Sequence, residues 1–324
     1  MATGVLIAPD RGAANLVDDA LDKARAANDA GVSQLWLGQQ LDYDAIGLAA
    51  LIGTAIPNIA VGTSVVPINP RHPLIVVAAA QTAQAATHGR FSLGLGLGVP
   101  FLEEAVFGLT TRETVQRLRE YLTVLRAIRD DRTVNFRGAQ LTAVDPSVLP
   151  VALAGATPFP LYVAAMGPRA LQVTGELADG TIPANAGPRT IGEFIAPTIT
   201  RAAADAGRPT PRIIAMVSVA VTDDVDAARD AATATMALYD SIPSYQKVVA
   251  REGVSSGVEL AVIGSAESVT RSLNAYLDAG ATDVALLPLQ TGPAELQRPQ
   301  SGNVGPTAVR APSARPLPHP SSLR

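Results

Sequence analysis

Glycines 94, 96 and 98, in FSLGLGLG, alternate with apolar residues in what otherwise reads as a strand, and glycine weakens a strand unless bare backbone is required there. Just before them, IAVGTSVVPINPRHP (59–73) carries Val61, Val65, Val66 and Ile68 and then runs out in small residues and proline. Two strand ends of this kind let main chain approach a flat ligand closely. The loops at residues 9–11, 38–44, 64–72, 95–104, 166–169 and 183–185 share the property: Gly, Pro, Ser and Asn recur, with few ionisable groups. Such a lining binds through main-chain amides and suits a planar heteroaromatic ring with its own hydrogen-bonding edge, which carries the chemistry while protein orients it. The side chains best placed to take part are Gln39, Gln40, Arg71 and His72. A glutamine can donate or accept a hydrogen bond, but it has no titratable lone pair near neutrality and cannot serve as a general base. Gly167-Pro168-Arg169 opens a helix with proline at its first position, leaving N–H groups for a phosphate. The G-x-G-x-G at 94–98 is not a dinucleotide fingerprint, because the spacing and the following helix are missing.

The elements that must position these residues alternate regularly. Strand signatures at 2–9, 33–38, 59–68 and 91–98 are separated by helical periodicity over 15–30, 42–56 and 73–88 and followed by a fourth helix over 111–130. A hairpin with its turn at Arg137 and Gly138 interrupts at 133–144, and a Pro-rich connection leads to residue 160. Strand and helix then resume at LYVAAMG and PRALQVTGELAD, at GTIPAN and 189–207, and at 212–221 and 225–240. A polar loop, PSYQKVVAREG, a helix over 265–280 and a last strand over 282–290 complete the order. Eight strands with at least seven crossover helices predict a (β/α)8 barrel, whose active site lies at the C-terminal strand ends. Residues 1–290 form its single domain on this reading. The remainder, 291–324, is rich in Pro, Ser, Gly and Arg, occupies the place of an eighth helix and is expected to be disordered.

Composition narrows the partners. The 324 residues are 48% hydrophobic with net charge −4, and a mean hydropathy of +0.22 provides for a large core. No basic face is available for nucleic acid, and no apolar run reaches the ~18 residues of a membrane span. MATGVLIAPDRG lacks the basic and long apolar regions of a signal peptide, so a cytoplasmic location is expected. Without cysteine there is no thiolate chemistry, and three scattered histidines do not make a metal site. Trp36 reads as core with its N–H bonded to one partner, Glu103 and Glu104 as carboxylates in a first helical turn, and Tyr239, Tyr245 and Lys247 as cover over the barrel mouth.

Taken in order, SQLWLG, VGTSVVPINPRHP, HGRFSLGLGLG, TRETVQRLREYLTVLRAI, AAMGPRALQVTGELADG and AGATDVALLP resemble the luciferase-like flavin and deazaflavin oxidoreductases, in particular the branch using coenzyme F420. The resemblance runs over about residues 5–290. It implies a luciferase-like (β/α)8 barrel and a non-prolyl cis peptide at Ser64-Val65 forming a bulge behind the ring. It also implies that Gln39, Ser64, Val65, Gly96, Leu97 and Gly98 meet the cofactor, with Met166, Gly167, Ala184 and Asn185 at its phosphate end. Sugar-phosphate dehydrogenases of this family have an acid and a histidine after the second strand and a glutamate after the fourth; here those places hold Gln39, Gln40 and Val99. The resemblance therefore implies a reductase acting on a small organic molecule, with Gln40 or His72 donating a hydrogen bond. Two alternatives stay open: an FMN-dependent monooxygenase of the same family, and a barrel that binds the ring without turnover. The resemblance leaves the assembly open between monomer and homodimer.

Overall fold

A computed structural model describes residues 3–110, 113–146 and 148–289. The chain begins with β1 (Thr3–Ile7), α1 (Leu16–Asp29), β2 (Gln34–Leu37) and α2 (Ala45–Ala55). The strand expected over 59–68 is two pieces, β3 (Ala60–Thr63) and β4 (Val66–Pro67), before α3 (Pro73–Ala86) and β5 (Phe91–Gly96). A short α4 (Pro100–Phe107), read from sequence as loop, precedes α5 (Thr114–Arg126), which widens into a π-helical turn at Ala127–Asp131. The hairpin is β6 (Asn135–Arg137) with β7 (Thr142–Val144). Then come β8 (Leu161–Val163), α6 (Pro168–Leu177), β9 (Gly180–Thr181), α7 (Pro188–Thr190) running on into α8 (Ala196–Asp205), and β10 (Arg212–Val221). After α9 (Val225–Asp240), the stretch expected as a polar loop is a helix, α10 (Pro243–Glu252). Proline at its start and a stripe reduced to Val248 and Val249 hid it. β11 (Val262–Gly264), α11 (Ala266–Asp278) and β12 (Asp283–Pro288) close the described chain. The tail expected over 291–324 lies outside the described residues.

Parallel pairing runs β1-β2-β3-β5-β8-β9-β10-β12 and returns to β1, a closed barrel of eight strands, with β11 added beside the far end of β10. Local signals start the helices where the strands release the chain. Asn15 accepts from the N–H groups of Val17 and Asp18, Asp44 from Gly47, and His72 Nδ1 from Leu74 ahead of Pro73. Strand alternation then divides the interior in two. Leu35, Leu37, Val61, Phe91, Leu93, Leu95, Val163, Val217 and Val284 face the helices in one large core. Trp36, Tyr162, Ile182, Ile214, Met216 and Ala285 face inward and pack together as a plug, with the Trp36 and Tyr162 rings edge to face at 6.1 Å. Below it, Arg212 forms an ion pair with Asp283 at 2.7 Å and donates to the Tyr162 hydroxyl at 3.0 Å, sealing the N-terminal end. Trp36 is core as expected, but its Nε1–H has no partner among the described residues; it lies against β1 where Gly4 carries no side chain.

Candidate active site

One layer above the plug, the same inward-facing rows end in Gly38, Ser64, Gly96, Ala164 and Ala184. Large side chains below and almost none above make a floor with a hollow over it. Four of these five, and Val65, are half-buried, whereas the plug is buried, so the hollow opens to solvent at the strand ends.

The wall of the hollow is shaped by a bulge between β3 and β4, where the Ser64-Val65 peptide is cis, as the resemblance implied. Ladder pairing between β3 and β5 stops at Gly62 with Ser92 and resumes at Val66 with Leu95. In the gap Thr63 Oγ1 donates to Gly94 O at 2.8 Å and accepts from Gly94 N at 2.9 Å, replacing the missing rungs. Ser64 N donates to Leu37 O at 2.8 Å, Gln39 N to Val65 O at 3.3 Å, and Ile68 N to Gly96 O at 3.0 Å, fixing the bulge on both sides. The Val65 side chain lies over Gly96: a Cβ there would stand 2.6 Å from Val65 Cγ2. Gly94 has a similar constraint, because its Cβ would run into the Thr63 carbonyl. The sequence signal of alternating glycines thus corresponds to backbone crowded from one side by the bulge.

Gly167 is the N-cap of α6, makes no side-chain cap bond, and has open space where a side chain would be, so the first amides of that helix face outward unobstructed. Ala184 bridges to Met216 at the edge of the floor, and Asn185 follows it with φ +52°. Leu97 and Met166 pack their side chains against the outer core. Gln39 is engaged by its own loop: Nε2 donates to Gln40 O and Tyr43 O, and Oε1 accepts from Ala45 N and Arg71 Nη2. His72 is not brought to the hollow with both nitrogens free. Nδ1 accepts from Leu74 N at 3.3 Å and Nε2 lies 3.0 Å from Thr142 O, an acceptor, which places the proton on Nε2 and ties α3 to the hairpin. Gln40 differs: Oε1 accepts from Arg11 Nη2 at 3.0 Å, which orients the amide so that Nε2 is 3.8 Å from the Cβ position of Gly38.

Charge around the mouth is cancelled locally. Arg11 pairs with Asp42 at 3.1 Å and Arg71 with Asp44 at 2.5 Å. Tyr239 and Tyr245 stack edge to face at 5.2 Å on α9 and α10. Burial, and then the neighbouring Tyr239, push the Tyr245 phenol up to about 12, so it stays neutral. A separate open cleft of about 380 Å³ lies between α7 and α10, where Arg189 is paired with Glu193 and Arg251 stacks on Phe194. Sequence reading passed over one polar group that the structure makes prominent. Glu103, expected as a first-turn or loop carboxylate near a helix N-terminus, is buried and accepts from Asn69 Nδ2 at 2.6 Å. Its partner lies 34 residues away, so no local pattern pointed to the pair.

A closed barrel with an open, uncharged hollow of main chain at its strand ends is the architecture of an enzyme that works through a bound planar group. The chain belongs to the luciferase-like monooxygenase family, whose sequence model matches residues 1–283. Among curated relatives it is 26% identical over 250 residues to a 5,10-methylenetetrahydromethanopterin reductase of Archaeoglobus fulgidus, covering 74% of this chain and 70% of that protein. It is 31% identical over 177 residues to an F420-dependent glucose-6-phosphate dehydrogenase of Beutenbergia cavernae, covering 53% and 52%. The chain thus spans about half to 70% of the length of the curated relatives it matches. The structure superposes with a TM-score of 0.73 and 20% identity on the coenzyme F420-dependent tetrahydromethanopterin reductase of Methanopyrus kandleri, covering 88% of this chain and 92% of that one. It also superposes at 0.70 and 16% identity on the oxygenating constituent of a 3,6-diketocamphane monooxygenase of Pseudomonas putida in complex with FMN, covering 90% and 92%. At these identities the superpositions establish the fold.

Proposed function

We propose that this enzyme transfers a hydride between coenzyme F420 and a small organic substrate, and that it works as a reductase of an activated alkene, imine or carbonyl. The observation that carries the reading is the hollow itself: Gly38, Ser64, Val65, Gly96 and Ala184 line it, above the Trp36 and Tyr162 floor, with no carboxylate or free imidazole among them. The deazaflavin would supply the hydride when bound, and the main chain at Gly38, Gly96 and Ala184 together with Val65 would hold it. The uncapped amides at Gly167 fit a phosphate on its side chain. Gln40 Nε2, held by Arg11, donates to the substrate atom on which charge develops. Gln39 and His72 act one step removed, fixing the loop after β2 and the start of α3. Sugar oxidation needs a base to take the alcohol proton, and neither Gln39, Gln40 nor Val99 can be one.

Equilibrium titration by ring fluorescence tests the coenzyme. Saturable quenching of F420 with weak response to FMN is expected; tight binding of FMN alone would replace this reading by the flavin one, which the FMN-bound neighbour of the same fold keeps in view. Oxidised F420 mixed with glucose 6-phosphate should stay oxidised, and its reduction would overturn the reductase reading.

A further inference from the structure

Beside the hollow, where β4 and β5 end, two buried polar atoms have no hydrogen-bond partner among the described residues. Asn69 is 8% exposed, and its Nδ2 donates to Leu97 O at 3.1 Å and to Glu103 Oε2 at 2.6 Å. A carbonyl and a carboxylate both accept, so the amide can be oriented only one way. Its Oδ1 is left buried with no partner among the described residues. Arg117 reaches the same place from α5, with Nη2 3.4 Å from Asn69 O, and its Nε–H is likewise buried and unpartnered among the described residues. The Glu103 carboxylate fills the space a side chain on Gly98 would take, which sets this cluster against the strand end that also carries Gly96. Each orphaned group costs roughly 1–3 kcal/mol if nothing completes it.

We propose that Asn69 Oδ1 and Arg117 Nε form a recognition pair for the imide edge of the bound ring, Oδ1 accepting from the ring N–H and Nε–H donating to the adjacent ring carbonyl. This rests on the reading of the hollow as a cofactor site. A pyrimidine-dione edge presents a donor and an acceptor in one plane, which answers one unmet acceptor and one unmet donor on two residues that meet at Asn69 O. A phosphodiester offers only acceptors and would leave Oδ1 unmet; an apolar substrate would leave both. Glu103 is the positioning residue, because its carboxylate fixes which way the Asn69 amide points.

The test is a titration of the full chain with coenzyme F420 and with its N3-methylated derivative, read by ring fluorescence. Methylation should weaken binding to wild type roughly 10- to 100-fold, while Asn69→Leu, checked for folding by thermal melt, should bind the two forms about equally. Arg117→Lys, which keeps the charge and loses the Nε donor, should weaken the unmethylated coenzyme roughly tenfold. Equal binding of both forms to wild type, or the same methylation loss in Asn69→Leu, overturns the pair while leaving the cofactor site standing. Failure of wild type to bind either form overturns both.

Discussion

At the residue scale, the hollow depends on atoms that are missing. Gly96 is bare because Val65 occupies its side, and Gly94 because the Thr63 carbonyl does. Gly96→Ala should therefore push Val65 and weaken coenzyme binding at least tenfold while the protein stays folded, a result that fluorescence titration beside a thermal melt would show. Gly94→Ala meets backbone instead of a movable side chain and is expected to destabilise by about 2–3 kcal/mol in urea unfolding. Gln40→Ala should lower kcat with little change in coenzyme affinity, whereas Gln39→Ala, which removes four hydrogen bonds from one loop, should loosen both. The glycines were legible in the sequence because alternation and small size are local properties. Asn69 with Glu103, and the engagement of His72 Nε2, were not: each depends on a partner tens of residues away that only the closed barrel brings near.

Among elements, the hairpin is held to α5 by one carboxylate. Glu120, 3% exposed, accepts from the backbone N–H groups of Ala139, Gln140 and Leu141 and from Gln116. Burial opposes its charge, but the Gln116 amide and the three N–H groups outweigh it and hold the carboxyl below its ordinary 4.5. A lowered value in the folded state means the contribution is full above pH 4.5 and fades as pH falls through the lowered one. Glu120→Gln should cost about 1–3 kcal/mol near neutrality and flatten the acid limb of a stability profile; an unchanged acid limb would show that the anchor lies elsewhere. Most strands and helices were legible from periodicity. The exceptions have causes: the β3–β4 strand is split where Thr63 replaces ladder bonds with its hydroxyl, and α4 and α10 are short helices that each bury little.

For the whole molecule, eight strand signatures alternating with helices predicted the closed barrel, and the ring of parallel pairs matches it. What periodicity could not show is how the interior divides into a filled lower part and a hollow upper one. That division follows from side-chain size along the inward rows, Trp36 giving way to Gly38, Tyr162 to Ala164, and Ile182 to Ala184. The pairing of Arg11 with Asp42 and Arg71 with Asp44 cancels the charge of those four groups at the mouth. Raising ionic strength from 50 to 500 mM should accordingly change kcat/KM for an enone substrate carrying a carboxylate less than twofold, a steady-state measurement in which a steep decline would point to steering by unpaired charge. The most direct measurement is a crystal structure of the protein with coenzyme F420 bound. The ring is predicted to lie at the C-terminal strand ends, its face against Val65 and Gly96 above the Trp36 and Tyr162 plug. Density for the ring anywhere else, or Val65 folded down to fill the hollow, would contradict the account.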